Sequence, residues 1–261
     1  MISADFSFSE IKGILFDLDG VLFVDEQVID GAIETIDYIK NRNIPCRFLT
    51  NTTTRSLDSL YKKISRLGLN IKKEEIFSPP QIAVRYLRKK GNSTCLFIVE
   101  DDTKKEFEGF AEDEDNPDII VIGHYGKRWN YDLLNKLFKM ILNGAELVAL
   151  HKGKFWQTKD GLTLDIGAFV TGLEYATGVK ATVIGKPSET FFRLALEDMN
   201  VKQHQSLMVG DDIISDIGGA QKTGIKGVLV KTGKYRAELV RESGITPDFT
   251  IDSVSNLKEL L

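Results

Sequence analysis

The 261-residue chain reads as an α/β protein, with a doubly wound, Rossmann-like parallel-sheet core and an α/β second domain inserted into it. Two patterns and one spacing predict this. Short β-branched and aromatic runs alternate with stretches whose apolar residues recur every three or four positions. Chemically active side chains follow the strand-like runs in four clusters, and one of the intervals between clusters is far too long for a loop.

The strand-like runs are Lys12–Phe16, Cys46–Leu49, Thr94–Val99, Ile119–Ile122, Leu147–Leu150, Ser206–Val209 and Val228–Val230. Between them, Ala32, Ile33, Ile36 and Ile39 form one helical stripe. Leu57, Leu60, Ile64 and Leu67 form a second, and Leu133, Leu134, Leu137, Phe138 and Ile141 a third. Gly68 and Gly144 stand where a left-handed residue closes a helix. Strand, helix and strand joined by short connections predict a parallel sheet covered on both faces, whose ligands sit beyond the carboxyl ends of the strands. Polar residues just after strands are therefore the candidates for chemistry.

Four such places stand out. The first strand runs into Asp17-Leu18-Asp19-Gly20 and the second into Thr50-Asn51. A later element holds Gly185-Lys186-Pro187, and the run ending at Val209 leads into Gly210-Asp211-Asp212, with Asp216 beyond. Asp17 to Thr50 is 33 residues, Thr50 to Lys186 is 136, and Lys186 to Asp211 is 25. The long interval has strand and helix patterns of its own, so residues 79–184 are expected to form an inserted domain and residues 1–78 plus 185–261 the core.

Composition narrows the partners. Thirty-four Lys and Arg against 38 Asp and Glu leave a net charge of −4, which gives no broad basic field for nucleic acid or an anionic membrane. The longest apolar run, Cys95–Val99, falls far short of the roughly 20 residues of a membrane span. The opening MISADFSFSE has neither the basic nor the apolar character of a targeting segment, so the cytoplasm is the expected compartment. Cys46 and Cys95 form no CxxC pair and lie in apolar runs, as buried reduced thiols do.

If Asp17, Asp19 and Asp211 converge, their repulsion raises a pKa or demands a cation. An all-oxygen donor set suits Mg²⁺, which favours a few carboxylates together with water and phosphate oxygens. Thr50 offers a hydroxyl, Asn51 and Gly20 offer backbone N–H groups, and Lys186 offers a fixed charge, together a cradle for a phosphoryl group. Asp17 would attack phosphorus, and Asp19 would protonate the leaving oxygen and then deprotonate water.

FDLDG, LTN, GKP and GDD with Asp216, in this order, resemble the four motifs of the haloacid dehalogenase-like (HAD) hydrolase superfamily. The match covers roughly residues 12–78 and 185–252. The position of the long insert is similar to that in class IIa, the C2-capped, NagD-like members, and the cap, with NPDIIVIG, the helix after Trp129-Asn130-Tyr131 and the run GAFVTGLEYATGVKATVIGKP, resembles the subgroup of phospholysine phosphohistidine inorganic pyrophosphate phosphatases and the haloacid dehalogenase-like hydrolase domain-containing protein 2 group. The resemblance implies a HAD core with a C2 cap, Asp17 as nucleophile and Asp19 as acid and base. It implies Mg²⁺ held by the Asp17 and Asp211 carboxylates and the Asp19 carbonyl, with Asp212 or Asp216 acting from behind these ligands. It also implies Thr50, Asn51 and Lys186 as phosphate ligands. The substrate would be a small phosphorylated molecule or pyrophosphate. In the cap, His151 and Lys152 follow a strand, in a stretch that in this class helps choose the substrate; a plain surface turn is the competing reading. Capped relatives often dimerise through the cap, which leaves a homodimer open.

Rival functions are separable. Asp19 argues against a dehalogenase, and a phosphomutase would share the core. Receiver domains lack the second Asp two residues after the phosphoacceptor, and an inactive binding protein would keep the fold without turnover. DLDG is no EF-hand loop, since Leu22 stands at the glycine position, and GKP is no Walker A loop, since Pro187 replaces the hydroxyl residue. The acidic run Glu112–Asp115 reads as a solvated loop and Trp129 and Trp156 as packing residues.

Overall fold

A computed structural model describes residues 8–158 and 161–261. The chain divides into two compact units. One comprises the residues up to Thr50, Tyr61–Phe77 and Lys186–Leu261; the other comprises Asn51–Leu60 and Ser78–Gly185.

The first unit is built on a six-stranded parallel sheet in the order Phe249–Ile251, Lys226–Val230, Ser206–Gly210, Gly13–Asp17, Cys46–Leu49, Ile76–Phe77. Gly13–Asp17 lies in the middle and is buried along its whole length. Side chains on both of its faces are buried, so it reads as a continuous apolar run rather than an alternating one. Phe16 stacks on Phe48 of the adjacent strand with 5.7 Å between ring centres. From this central strand the chain builds outward first on one side and then, after the long excursion, on the other. The switch in direction therefore falls between Gly13–Asp17 and Ser206–Gly210, where ligands of such sheets are bound.

The helical stripes fold as expected at Ala32–Asn41, Leu57–Arg66 and Tyr131–Leu142. Asn130 caps the last of these, its Oδ1 accepting the Leu133 N–H at 2.9 Å. Gly68 and Gly144 adopt the positive φ anticipated for them, +77° and +108°. The edge strands Ile76–Phe77 and Phe249–Ile251 were not anticipated, because two or three residues carry too little pattern to be read. The first strand differs from expectation too. It leads into a small hairpin, Phe23–Val24 against Gln27–Val28, before any helix begins.

The second unit has a four-stranded parallel sheet, Thr182–Val183, Glu146–Ala149, Ile119–Ile122, Cys95–Ile98, and an antiparallel pair, Phe155–Thr158 with Gly161–Leu164. Its core gathers Ile98, Ile120, Ile122, Leu137, Ile141, Leu147, Val170 and Leu173. Trp129 stacks on Phe169 at 4.4 Å, the packing role expected of it. Within the acidic run, Asp113 closes a turn by accepting the Asp115 and Asn116 N–H groups, and Glu112 pairs with Lys104. No helix among the described residues is long and apolar enough to cross a membrane.

Cys46 and Cys95 are buried free thiols. Burial pushes the Cys46 thiol up to about 12 and that of Cys95 up to about 11. The thiolate is the reactive form, so neither should alkylate readily in the native protein at about pH 8, whereas both should react once the chain is unfolded. Mass-spectrometric counting of iodoacetamide adducts checks this, and rapid native labelling of Cys46 would contradict it.

Candidate active site

Strand register assembles the site. Phe16 lies beside Val209 on one side and Phe48 on the other, and Asp17 lies beside Leu49. Thr50 and Asp211 each follow within a residue or two of the same level, so three strand ends deliver Asp17, Thr50 and Asp211 together. Asp17, Asp211 and Asp216 carry carboxylate oxygens that all lie within 4.8 Å of one another, and all three residues are buried. Asp216 reaches the cluster because Ile213–Gly218 winds as a π-helix, a wide turn often found at functional sites. The Asp212 side chain caps that turn, accepting the Ile214 and Ser215 N–H groups at 3.0 Å each. Its own N–H donates to Asp216 Oδ2 at 3.1 Å.

Lys186, only 3% exposed, places its ammonium 2.5 Å from Asp17 Oδ1 and 2.7 Å from Asp216 Oδ1. Burial alone would lower its pKa, but Asp17 and then Asp216 outweigh that and hold it well above the ordinary lysine value. Burial pushes Asp17 up, Lys186 pulls it down, and Asp216 and Asp19 push it up again, to about 7. Asp211 is raised well above its usual range, first by burial and then by Asp17 and Asp216. Thr50 Oγ1 donates to Asp19 Oδ2 at 3.4 Å.

One expected contribution is corrected. The Gly20 N–H, expected in the phosphate cradle, donates to Phe23 O at 2.7 Å and so closes the hairpin. What Gly20 supplies is space, since at φ +92° any Cβ would overlap Asp211 Oδ2. Gly210 does the same for the Asp216 side chain.

The sequence reading missed the turn Thr232-Gly233-Lys234. The Lys234 N–H donates to Asp211 Oδ2 at 2.7 Å, the Thr232 hydroxyl donates to Gly20 O, and the Lys234 ammonium lies 3.6 Å from Asp212 Oδ2. The signal was present: polar residues just after the strand ending at Val230 satisfy the criterion that singled out the other four clusters.

Asn51, His151 and Lys152 belong to the second unit. Asn51 packs against Gly185, where a Cβ would come within 2.5 Å of its Oδ1. His151 is buried, and its Nδ1 accepts the Gly153 N–H at 3.1 Å, so in the neutral ring the proton resides on Nε2. That atom lies 3.4 Å from Thr53 Oγ1 and 3.7 Å from Asp165 Oδ1. The Lys152 ammonium pairs with the buried Glu174 at 2.6 Å.

A six-stranded parallel sheet with acidic strand ends around a buried lysine defines a class, and the chain belongs to the haloacid dehalogenase-like hydrolase family. Residues 14–111 match the family model described as haloacid dehalogenase-like hydrolase, and residues 183–257 match the one described as HAD-hydrolase-like. Among individual relatives, the chain is 38% identical to human haloacid dehalogenase-like hydrolase domain-containing protein 2, over 93% of each chain. It is 34% identical to human phospholysine phosphohistidine inorganic pyrophosphate phosphatase, over 96% of this chain and 94% of that one. Among solved structures, 4-nitrophenylphosphatase from Thermotoga maritima superposes with a TM-score of 0.89 at 25% identity, over 97% of this chain and 98% of that one. NagD from E. coli K-12 superposes at 0.83, also at 25% identity, over 94% and 97%.

Two outcomes follow from the electrostatics. Between the ordinary carboxylate value of 3.8 and about 7, folded metal-free protein keeps a proton on Asp17 that the unfolded chain has lost. Stability therefore falls as pH rises through that window, by up to about 1.4 kcal/mol per pH unit for one group. Thermal melts in EDTA should show the decline and D17N should lessen it, the raised Asp211 remaining; a melting temperature that climbs from pH ~4 to ~7 in both proteins contradicts the assignment. In the second unit, K152A leaves the buried Glu174 with the Ala181 N–H and the Lys180 ammonium 3.9 Å away, and should cost about 1 kcal/mol in urea unfolding, whereas K152R should recover most of the loss.

Proposed function

We propose that the chain is a Mg²⁺-dependent phosphatase that hydrolyses a small phosphorylated metabolite or pyrophosphate through a phosphoaspartyl intermediate on Asp17. The observation that carries this is the convergence of Asp17, Asp211 and Asp216 around Lys186, with Asp211 Oδ1 buried and without a hydrogen-bond partner. A buried carboxylate oxygen left unpartnered costs free energy that a cation would recover. The donors are all oxygen, which suits Mg²⁺. The Asp17 and Asp211 carboxylates and the Asp19 carbonyl would hold it, with Asp216 and Asp212 braced behind them. When bound, the ion would favour the ionised form of Asp17 and offset charge on the phosphoryl oxygens.

In this reading Thr50, Asn51 and Lys186 hold the phosphoryl group. An Asp17 carboxylate oxygen forms the bond to phosphorus as the bond to the leaving oxygen breaks, and Asp19 gives that oxygen its proton. Asp19 then takes a proton from water, the hydroxide attacks phosphorus, and phosphate leaves with Asp17 restored. Residues 79–184 serve as the cap, with His151 and Lys152 in the stretch that selects the leaving group. A homodimer through the cap fits the exposed Tyr131, Leu142 and Tyr175 of the second unit. The reduced thiols fit a cytoplasmic protein. The relatives named as phosphatases support the reaction class.

Turnover of p-nitrophenyl phosphate and pyrophosphate with Mg²⁺ tests this. D17N should lose on the order of 10³-fold or more in kcat, and D19N about 10²- to 10⁴-fold. Stoichiometric labelling of Asp17 without turnover would indicate a phospho-acceptor instead, and hydrolysis persisting in D17N would end the proposal. Across a phosphoester panel, K152A should change kcat/KM unevenly; an even change removes its selecting role.

A further inference from the structure

We propose that Lys234 sets how tightly the carboxylate cluster holds a divalent cation, acting as a built-in competitor for that charge. The inference rests on the metal-dependent reading above but concerns a residue outside its four clusters. Lys234 makes two different approaches to the site. Its backbone N–H binds Asp211 Oδ2 at 2.7 Å, which leaves Asp211 Oδ1 buried and free of hydrogen bonds. Its ammonium stands 3.6 Å from Asp212 Oδ2, beyond a good hydrogen bond, on a side chain 35% exposed.

The turn that carries it has little freedom to move away. The Thr232 hydroxyl bonds Gly20 O, and Gly233 sits at φ +55°, where a Cβ would overlap Asp211 Oδ2. Lys186, by contrast, is engaged by Asp17 and Asp216. Lys234 is thus more loosely held than Lys186. Burial disfavours its charge, but Asp212, followed by Asp211, Asp17 and Asp216, raises its pKa. It stays a fixed positive charge, and in the metal-free protein it relieves carboxylate repulsion. A divalent cation entering the cluster meets that charge as repulsion. Neutralising Lys234 should therefore weaken the metal-free fold and strengthen cation binding.

The test is titration of the full-length chain with MgCl₂ by calorimetry and with Mn²⁺ by electron paramagnetic resonance, in wild type, K234M, K234Q and K234R. K234M should bind the cation on the order of tenfold more tightly, by the Coulomb repulsion removed, and K234R should resemble wild type. Metal-free K234M should also melt lower than wild type and gain more from saturating Mg²⁺, a signature that a purely structural lysine would not give. K234Q keeps the test open should the methionine variant fail to fold. Equal or weaker binding in the neutral variants, with wild type binding normally, overturns the proposal and leaves the phosphatase reading intact. Wild type that binds neither ion overturns both.

Discussion

Three carboxylates, those of Asp17, Asp211 and Asp216, are buried within a few ångströms of one another, and the surrounding architecture answers the cost of that arrangement. Like charges in a low-dielectric pocket repel strongly, so such a cluster persists only with compensating cations or protons. Lys186 supplies the nearest compensation by reaching two of the three acids at once. The raised pKa values of Asp17 and Asp211 record the compensation that a single lysine does not provide. The same imbalance that destabilises the cluster would be relieved by the divalent cation proposed for it.

Backbone economy makes the cluster possible. Gly20, Gly210 and Gly233 stand where a side chain would occupy the space of Asp211 or Asp216, so close approach of main chain to carboxylate is the reason for glycine at these positions. The π-helical turn after Asp212 adds the extra residue per turn that brings Asp216 back to the strand end. Five segments distant in sequence thus meet beyond the carboxyl ends of the strands of one sheet: those of Asp17, Thr50, Lys186, Asp211 and Lys234. The last had no place among the sequence motifs, yet its N–H orients Asp211.

The second unit follows the same rule with different chemistry. Its parallel strands also end in polar residues, among them Glu100, His124 and His151, but here the groups engage one another. Thr53 links them, accepting the His124 N–H at 3.0 Å while lying 3.4 Å from His151 Nε2. Arg128 bridges Glu100 and Asp101 across the face of Tyr125. Such a network holds the loop in place, and His151 and Lys152 have structural partners of their own.

The α/β class, the central strands and the identity of the acidic, hydroxyl and lysine residues were legible in the chain, because burial on both faces writes an apolar run and each active residue directly follows such a run. The short edge strands were not legible, since two or three residues hold no period. The turn at Lys234 carried the same strand-end signal, but its bond to Asp211 runs through a backbone N–H that every residue but proline possesses, so residue type alone did not mark it. Gly20 shows the division most plainly: sequence marks it as special, but only the packed structure distinguishes a donor to phosphate from a space left for Asp211. Local pattern determines which elements form and which residues they present. Register, long-range approach and the balance of buried charge arise only when distant segments share one site, and those the tertiary structure alone decided.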